Sequence, residues 1–157
     1  GVGKSTLVEG IATRIVQGDV PHTLKEKRVI QLSASALLAG ATMSGVHERL
    51  LNIFFEIRRS KNIVLFIKNI HELVGIKNGG GIDLSDVLAE HLEQGRIVMI
   101  GSTPVEGYNR TILNTRIGSV LTPVEVSEMN EDSTMIVLES KVVSVELQHK
   151  VFYIRQY

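Results

Sequence analysis

With 157 residues the chain has the length of one domain with a core of its own. Its 17 basic and 17 acidic residues cancel, which argues against a dedicated nucleic-acid binder, and the absence of cysteine excludes disulfides and thiolate metal sites. A hydrophobic content of 43% with 22% charged residues is that of a globular domain, and no apolar run is long enough to span a membrane.

The chain opens on Gly1-Val2-Gly3-Lys4-Ser5-Thr6. Gly3, Lys4 and Ser5 match the last three fixed positions of the phosphate-binding pattern G-x-x-x-x-G-K-[ST], whose first glycine would precede residue 1. Glycines let backbone N–H groups turn inward onto phosphate oxygens. Lys4 is expected to reach the β- and γ-phosphates, and the Ser5 hydroxyl to ligate Mg²⁺. The positive end of the following helix faces the anion. The competing reading of this half motif is an ordinary glycine-rich turn.

Residues 5–17 then predict an amphipathic helix, with Leu7, Val8, Ile11, Ile15 and Val16 at helical spacing and Gly18 as its stop. Residues 18–27 are a polar loop, and Arg28 to Leu32 a short strand. Ser33 to Gly40 is helical, Ala41 to Gly45 a small-residue loop, and 46–59 a second clear helix. Ile63-Val64-Leu65-Phe66-Ile67 predicts a buried parallel strand. Gly79-Gly80-Gly81 marks a loop, Asp83 to Gln94 a helix, and Ile97 to Ile100 the next strand. A turn at Pro104 and a short helix follow, then a last strand over Val120 to Val126 and a helix from Glu131 to about Lys141. Strands alternating with helices define an α/β class with a mostly parallel sheet, whose ligands bind beyond the carboxyl ends of the strands.

Other constellations have bland readings. His22, His47, His71, His91 and His149 show no HxH or HxxxH spacing, so no metal site is expected from them. Asp83, Asp86 and Glu90 form a solvated helix face, and Arg58, Arg59 and Lys61 are helix-end charges with a subunit contact as the alternative. Tyr108 is expected to pack near the Pro104 turn.

The run GVGKSTLVEGIATRIVQGDVPHTLKEKRVIQL resembles the first AAA+ module of Clp-type unfoldases and disaggregases. The resemblance continues through LLAGA, HERL, IVLFI, IHELVG, IGSTP and PVEV, covering essentially the whole chain. It implies a P-loop NTPase fold, the AAA+ large subdomain, with strand order 5-1-4-3-2 and the first strand missing from the chain. Residues 1–128 are then the nucleotide-binding large subdomain, truncated at its N-terminus, and 129–157 the start of the helical small subdomain. The resemblance further implies a cytoplasmic hexameric ring that threads polypeptide substrates through a central pore at the expense of ATP, in some members beside a peptidase ring, without nucleic acid or membrane. Gly1 to Thr6 would hold ATP, and Gly40 to Gly45 would be the pore loop, with Thr42, Met43 and Ser44 at its tip. Ile63 to Asn69 would be the Walker B strand, and Thr103 and Pro104 would sit at the first sensor. A chain lacking its central strand is expected to fold poorly on its own.

The departures from the family pattern concern chemistry. Walker B strands end in Asp-Glu, where this chain has Lys68-Asn69. Asn69 cannot take a proton, so general-base assistance of about 10²–10⁴-fold is lost. Lys68 is a cation where Mg²⁺ expects an anion. It either weakens the metal, takes over part of its role against the phosphates, or points away. The sensor pair ends in Pro104 in place of a threonine, the pore loop carries Met43 in place of an aromatic, and the paired arginines align with Ser119 and Val120, leaving Arg116 nearby. The expectation is an ATP-binding module with impaired hydrolysis. The alternatives are an active ATPase rewired through His71 or Glu72, and a nucleotide-independent assembly scaffold.

Overall fold

The computed structural model describes residues 2–74 and 84–150, with the side chains of Met43, Val143 and Ser144 excepted. Gly1, the Gly79-Gly80-Gly81 loop and Asp83 lie outside the described residues. The chain divides into two compact units, Gly3–Val124 and a second holding the residues from Glu125 onward with the first two.

The larger unit is built on three strands, β1 (Arg28–Ser33), β2 (Ile63–Lys68) and β3 (Val98–Ser102). They pair in parallel in the order β1-β2-β3, so Ser33, Lys68 and Ser102 end level with one another. This is the 4-3-2 run of the order the resemblance implies. Every crossover carries helix, as parallel pairing requires. β2 is central. Leu65 and Ile67 enter the main core while the alternating Val64 and Phe66 are buried on the other face, which is why its sequence is continuously apolar.

The helices supply the rest. α1 (Lys4–Gln17) buries Val8 and Ile15. α2 (Ala34–Leu38) follows β1 directly, with Ser33 as its N-cap. α3 (Met43–Ser60) places Val46, Leu50, Phe54 and Ile57 on one stripe of the core. α4 (His71–Val74) and α5 (Leu84–Glu93) bring Leu73, Leu84 and Leu88 against them. After β3 come α6 (Val105–Gly107), a π turn (Tyr108–Ile112) and α7 (Arg116–Val120), whose Ile117 is fully buried. The π turn closes with Leu113 N–H donating to the Tyr108 carbonyl at 2.9 Å.

Three sequence expectations are corrected. Ala41 to Gly45 is not all loop, because Thr42 Oγ1 accepts from Gly45 N–H at 3.2 Å and caps α3 from Met43 onward. Val120 to Val126 is not a strand: α7 runs through Val120, and 122–130 has no regular structure. An extended segment becomes a strand only beside a partner, and the outer edge of β3 is unpaired among the described residues. The terminal helix is longer than expected. In the smaller unit, α8 (Glu131–His149) starts where Asn130 Oδ1 accepts from Ser133 N–H at 2.8 Å.

Candidate functional site

The residues predicted to form a phosphate loop are at the start of α1. Gly3 is its N-cap, at φ 85°, a left-handed conformation that glycine adopts without strain. No side chain caps this end, so the first-turn N–H groups have no side-chain partner. Val2, Lys4 and Ser5 are half-buried and Thr6 is exposed. A bare helix start behind a left-handed glycine, with a lysine and a hydroxyl in its first turn, suits a phosphate. Gly1, the other predicted contact, is outside the described residues.

The second group of residues gathers beyond the carboxyl ends of β2 and β3. Lys68 is exposed at the last position of β2. Asn69 turns the chain at φ 55°, a left-handed conformation that asparagine tolerates better than most residues. Its Nδ2 donates to Glu72 Oε1 at 2.9 Å, and its carbonyl accepts from Glu72 N–H at 2.9 Å. Ile70 N–H donates to the Ser102 carbonyl at 3.0 Å, tying this turn to β3. His71 Nδ1 and Thr103 Oγ1 lie 3.1 Å apart in a hydrogen bond. Gly107 lies against both, since a Cβ there would come within 2.7 Å of Thr103 Oγ1 and 2.8 Å of the His71 ring. Thr103, predicted at the first sensor, is therefore held by a histidine 32 positions earlier in the chain. Pro104 is the N-cap of α6, and Tyr108 is half-buried against the core.

Among the described residues, no hydrogen bond or ion pair joins Lys4 or Ser5 to Lys68, Asn69 or Thr103, and no cluster of three histidines and carboxylates is placed to hold a metal. The residues present fit a phosphate chain better than its Mg²⁺. Mg²⁺ is usually held by one or two carboxylates besides phosphates. Here β2 ends in Lys68, and the nearby Glu72 carboxylate already accepts the Asn69 amide.

Arg116 is engaged elsewhere. Its Nε donates to Glu93 Oε1 at 3.0 Å and a second guanidinium nitrogen to Oε2 at 2.5 Å, a two-pronged link between α5 and α7. The hydrogen bond from Arg116 holds the Glu93 carboxyl below its ordinary value of 4.5, and the Arg116 pKa is raised in turn, mainly by Glu93 with smaller pulls from Asp86 and Glu90. The acidic face of α5 is thus partly committed to this arginine. A carboxyl with a lowered pKa stabilises the fold above its unfolded value and ceases to as pH falls through its folded value. We expect Arg116→Ala to lower the melting temperature slightly at neutral pH, and the difference from the parent to shrink as pH falls below about 4.5 and to vanish only once Glu93 is protonated in the folded chain, checked by melts across pH. A difference that persists in acid would show that the link does not act through this ion pair.

Thr42 is the N-cap of α3, with Met43 and Ser44 in the first turn, so the predicted pore-loop tip is a helix start; the Met43 side chain is not among those described. His91 is a packing residue: Nδ1 donates to the Val87 carbonyl at 2.9 Å, and its ring lies 4.6 Å from that of Phe54. No described helix is long and apolar enough to cross a membrane.

A family model described as "ATPase family associated with various cellular activities (AAA)" matches residues 1–120. Among curated proteins, the chain is 36% identical over 156 residues to the ATP-dependent Clp protease ATP-binding subunit ClpE of Streptococcus pneumoniae, covering 98% of this chain and 21% of the relative. It is 37% identical to the chloroplastic chaperone protein ClpC1 of Arabidopsis thaliana, over 98% of this chain and 17% of that one. It spans about a fifth of the length of these relatives. Among solved structures, it resembles Hsp104 in a closed state with ATPγS and casein, at a TM-score of 0.82 and 34% identity, covering 97% of this chain and 26% of that one. The S. cerevisiae Hsp104–ADP complex matches at a TM-score of 0.83 and 32% identity, over 98% and 22% of the two chains.

Proposed function

Because the chain belongs to the AAA family of ATPases, on its Clp-type branch, we propose that it is the ATP-binding module of a ring-forming protein unfoldase or chaperone, with hydrolysis at this site impaired. One contrast carries the reading. The phosphate-binding start of α1 keeps its glycine, lysine and serine, while β2 ends in Lys68 and is followed by Asn69, neither of which can accept a proton from water.

In this reading Gly1, Val2 and Gly3 with the first-turn amides cradle the phosphates of ATP, Lys4 neutralises them, Ser5 offers its hydroxyl to Mg²⁺, and Thr6 completes the loop. ATP supplies a phosphoryl group that this chain holds and is slow to transfer. Nucleotide occupancy then serves assembly of a hexameric ring in the cytoplasm, and the mechanical work on polypeptides falls to another module of the longer chain. Thr42, Met43 and Ser44 face the pore, with methionine a weaker grip than an aromatic. A peptidase ring is the partner in those members that degrade what they unfold.

The test is titration of ATP onto the full chain with and without Mg²⁺, with turnover recorded in the same samples and any second phosphate loop disabled. We expect binding that depends weakly on Mg²⁺, abolished by Lys4→Ala, with turnover near the uncatalysed level. Absence of binding would leave the nucleotide-independent scaffold as the reading. The hydrogen bond from Asn69 to Glu72 favours one other alternative, because it keeps a carboxylate beside the Walker B position. Turnover that is present in the parent and lost in Glu72→Gln would establish that rewired ATPase instead.

A further inference from the structure

At the amino ends of the strands, opposite the ends that carry the candidate site, lies a cleft of about 390 Å³. Four cationic side chains line it: Lys27, Arg58, Lys61 and Arg96. Their positions follow from the fold. Lys27 directly precedes β1, Arg58 is in the last turn of α3, Lys61 is the C-cap of that helix at φ 58°, and Arg96 follows the left-handed Gly95 that ends α5. Lys27 Nζ donates to the Lys61 carbonyl at 2.7 Å, which fixes one charge at the rim. Ile57 and Ile97, both buried, and the half-buried Ile63 supply apolar surface. No carboxylate lines the cleft, and none of the four cations is in an ion pair among the described residues.

The bland account is that these cations complement helix ends, since α3 and α5 both terminate here. Magnitudes decide against it as a full account. Each helix C-terminus carries the equivalent of about −0.5 charge, so two ends offset about one of the four positive charges. About three remain, in a chain whose net charge is zero. An exposed concentration of one sign attracts the other.

The lining chooses among anions. No aromatic ring is present to stack on a base, which disfavours a nucleotide or a nucleic acid. The isoleucine floor offers nothing to a bare inorganic polyanion, whereas it accepts aliphatic side chains. We propose that this cleft docks an acidic peptide segment of a partner polypeptide, seating one or two aliphatic side chains on Ile57, Ile63 and Ile97 with flanking carboxylates on the four cations. The proposal is independent of how nucleotide is handled at the other end of the sheet.

The experiment is fluorescence anisotropy of a labelled peptide, Asp-Glu-Leu-Asp-Ile-Glu-Asp, on the full chain. Binding is expected at low salt and is expected to weaken as salt screens the charges. The Asn/Gln counterpart of the peptide should bind at least about tenfold more weakly, as should the acidic peptide to Arg58→Glu/Arg96→Glu, where two attractions become repulsions. Arg58→Lys/Arg96→Lys should bind within about threefold of the parent, since it keeps the charges. Both arginines are exposed, so these variants leave the core intact. No binding, or equal binding of the amide peptide, overturns the proposal. Displacement by ATP would put the peptide at the phosphate loop and also overturn it. Displacement by tripolyphosphate or an oligonucleotide at lower concentration than by unlabelled peptide overturns the peptide as the occupant.

Discussion

Turnover at this site is expected to rise by about 10²–10⁴-fold when Lys68→Asp and Asn69→Glu are combined with Glu72→Gln. The first two changes restore the carboxylates that the Clp-type resemblance implies at the end of β2. The third follows from the geometry. Glu72 accepts a hydrogen bond from the Asn69 side chain at 2.9 Å, so Asn69→Glu alone would set two carboxylates within reach of one another. Such a pair shares a proton, and the pKa of one rises. The base would then be partly protonated near neutrality, and its activity would rise with pH.

Asn69 also stands at φ 55°, where a glutamate costs about 1 kcal/mol per left-handed residue. That cost falls on stability, while the expected gain lowers the barrier by about 3–5 kcal/mol, at about 1.4 kcal/mol for each factor of ten. The measurement is steady-state ATP turnover of the full chain with any second phosphate loop disabled. The triple variant should exceed the parent by two orders of magnitude or more, and the double variant should lie between them. A triple variant that binds ATP and turns over no faster would show that the missing carboxylates do not limit this site.

The second large effect is on stability. Gly118→Ala is expected to cost about 3 kcal/mol or more, out of a typical 5–15 for a domain. A Cβ at Gly118 would collide with the Ile112 carbonyl oxygen, with the Ile112 carbonyl carbon and the Leu113 oxygen at 3.1 Å. These are backbone atoms at the end of the π turn and at Leu113, its C-cap, so no side-chain rotation relieves the clash. The Ile112 oxygen accepts from Thr115 N–H at 2.9 Å and from Thr115 Oγ1 at 2.7 Å. Relief requires α7 to move, which would withdraw the fully buried Ile117 from the core. Gly10→Ala is the control. Gly10 lies within α1 with nothing within 4 Å of an added Cβ, so the change should stabilise by about 0.5–1 kcal/mol. Urea unfolding of the two variants beside the parent checks both signs. An unchanged midpoint for Gly118→Ala would mean that α7 is not held where the structure has it.

The frame was legible where local pattern and burial agree. Ile63 to Ile67 declares a strand covered on both faces, and the stripe of α3 declares a helix. The start of α3 was missed because Ala41, Ser44 and Gly45 have loop composition, although Thr42 was a signal for a cap. Val120 to Val126 failed for a different reason. Its β-branched residues state a preference, but a strand forms with a neighbour, and sequence pattern does not supply one. The N-cap glycine and helix start at Gly3 and Lys4 could be read because they sit in consecutive residues. The contact of His71 with Thr103 on Gly107, and the grip of Glu93 on Arg116, join residues that only folding brings together.

The parallel ladders also govern how the chain finds its fold. Arg28 pairs with Ile63, and Val64 with Val98, each across roughly 35 residues, and among the described residues no hairpin offers a shorter first step. Helices can form within microseconds, but the sheet must wait for two long loop closures, each entropically opposed before its contacts reward it. During synthesis, β1 would leave the ribosome well ahead of β2, its apolar partner strand. In that interval the exposed stretch is open to chaperones and to aggregation.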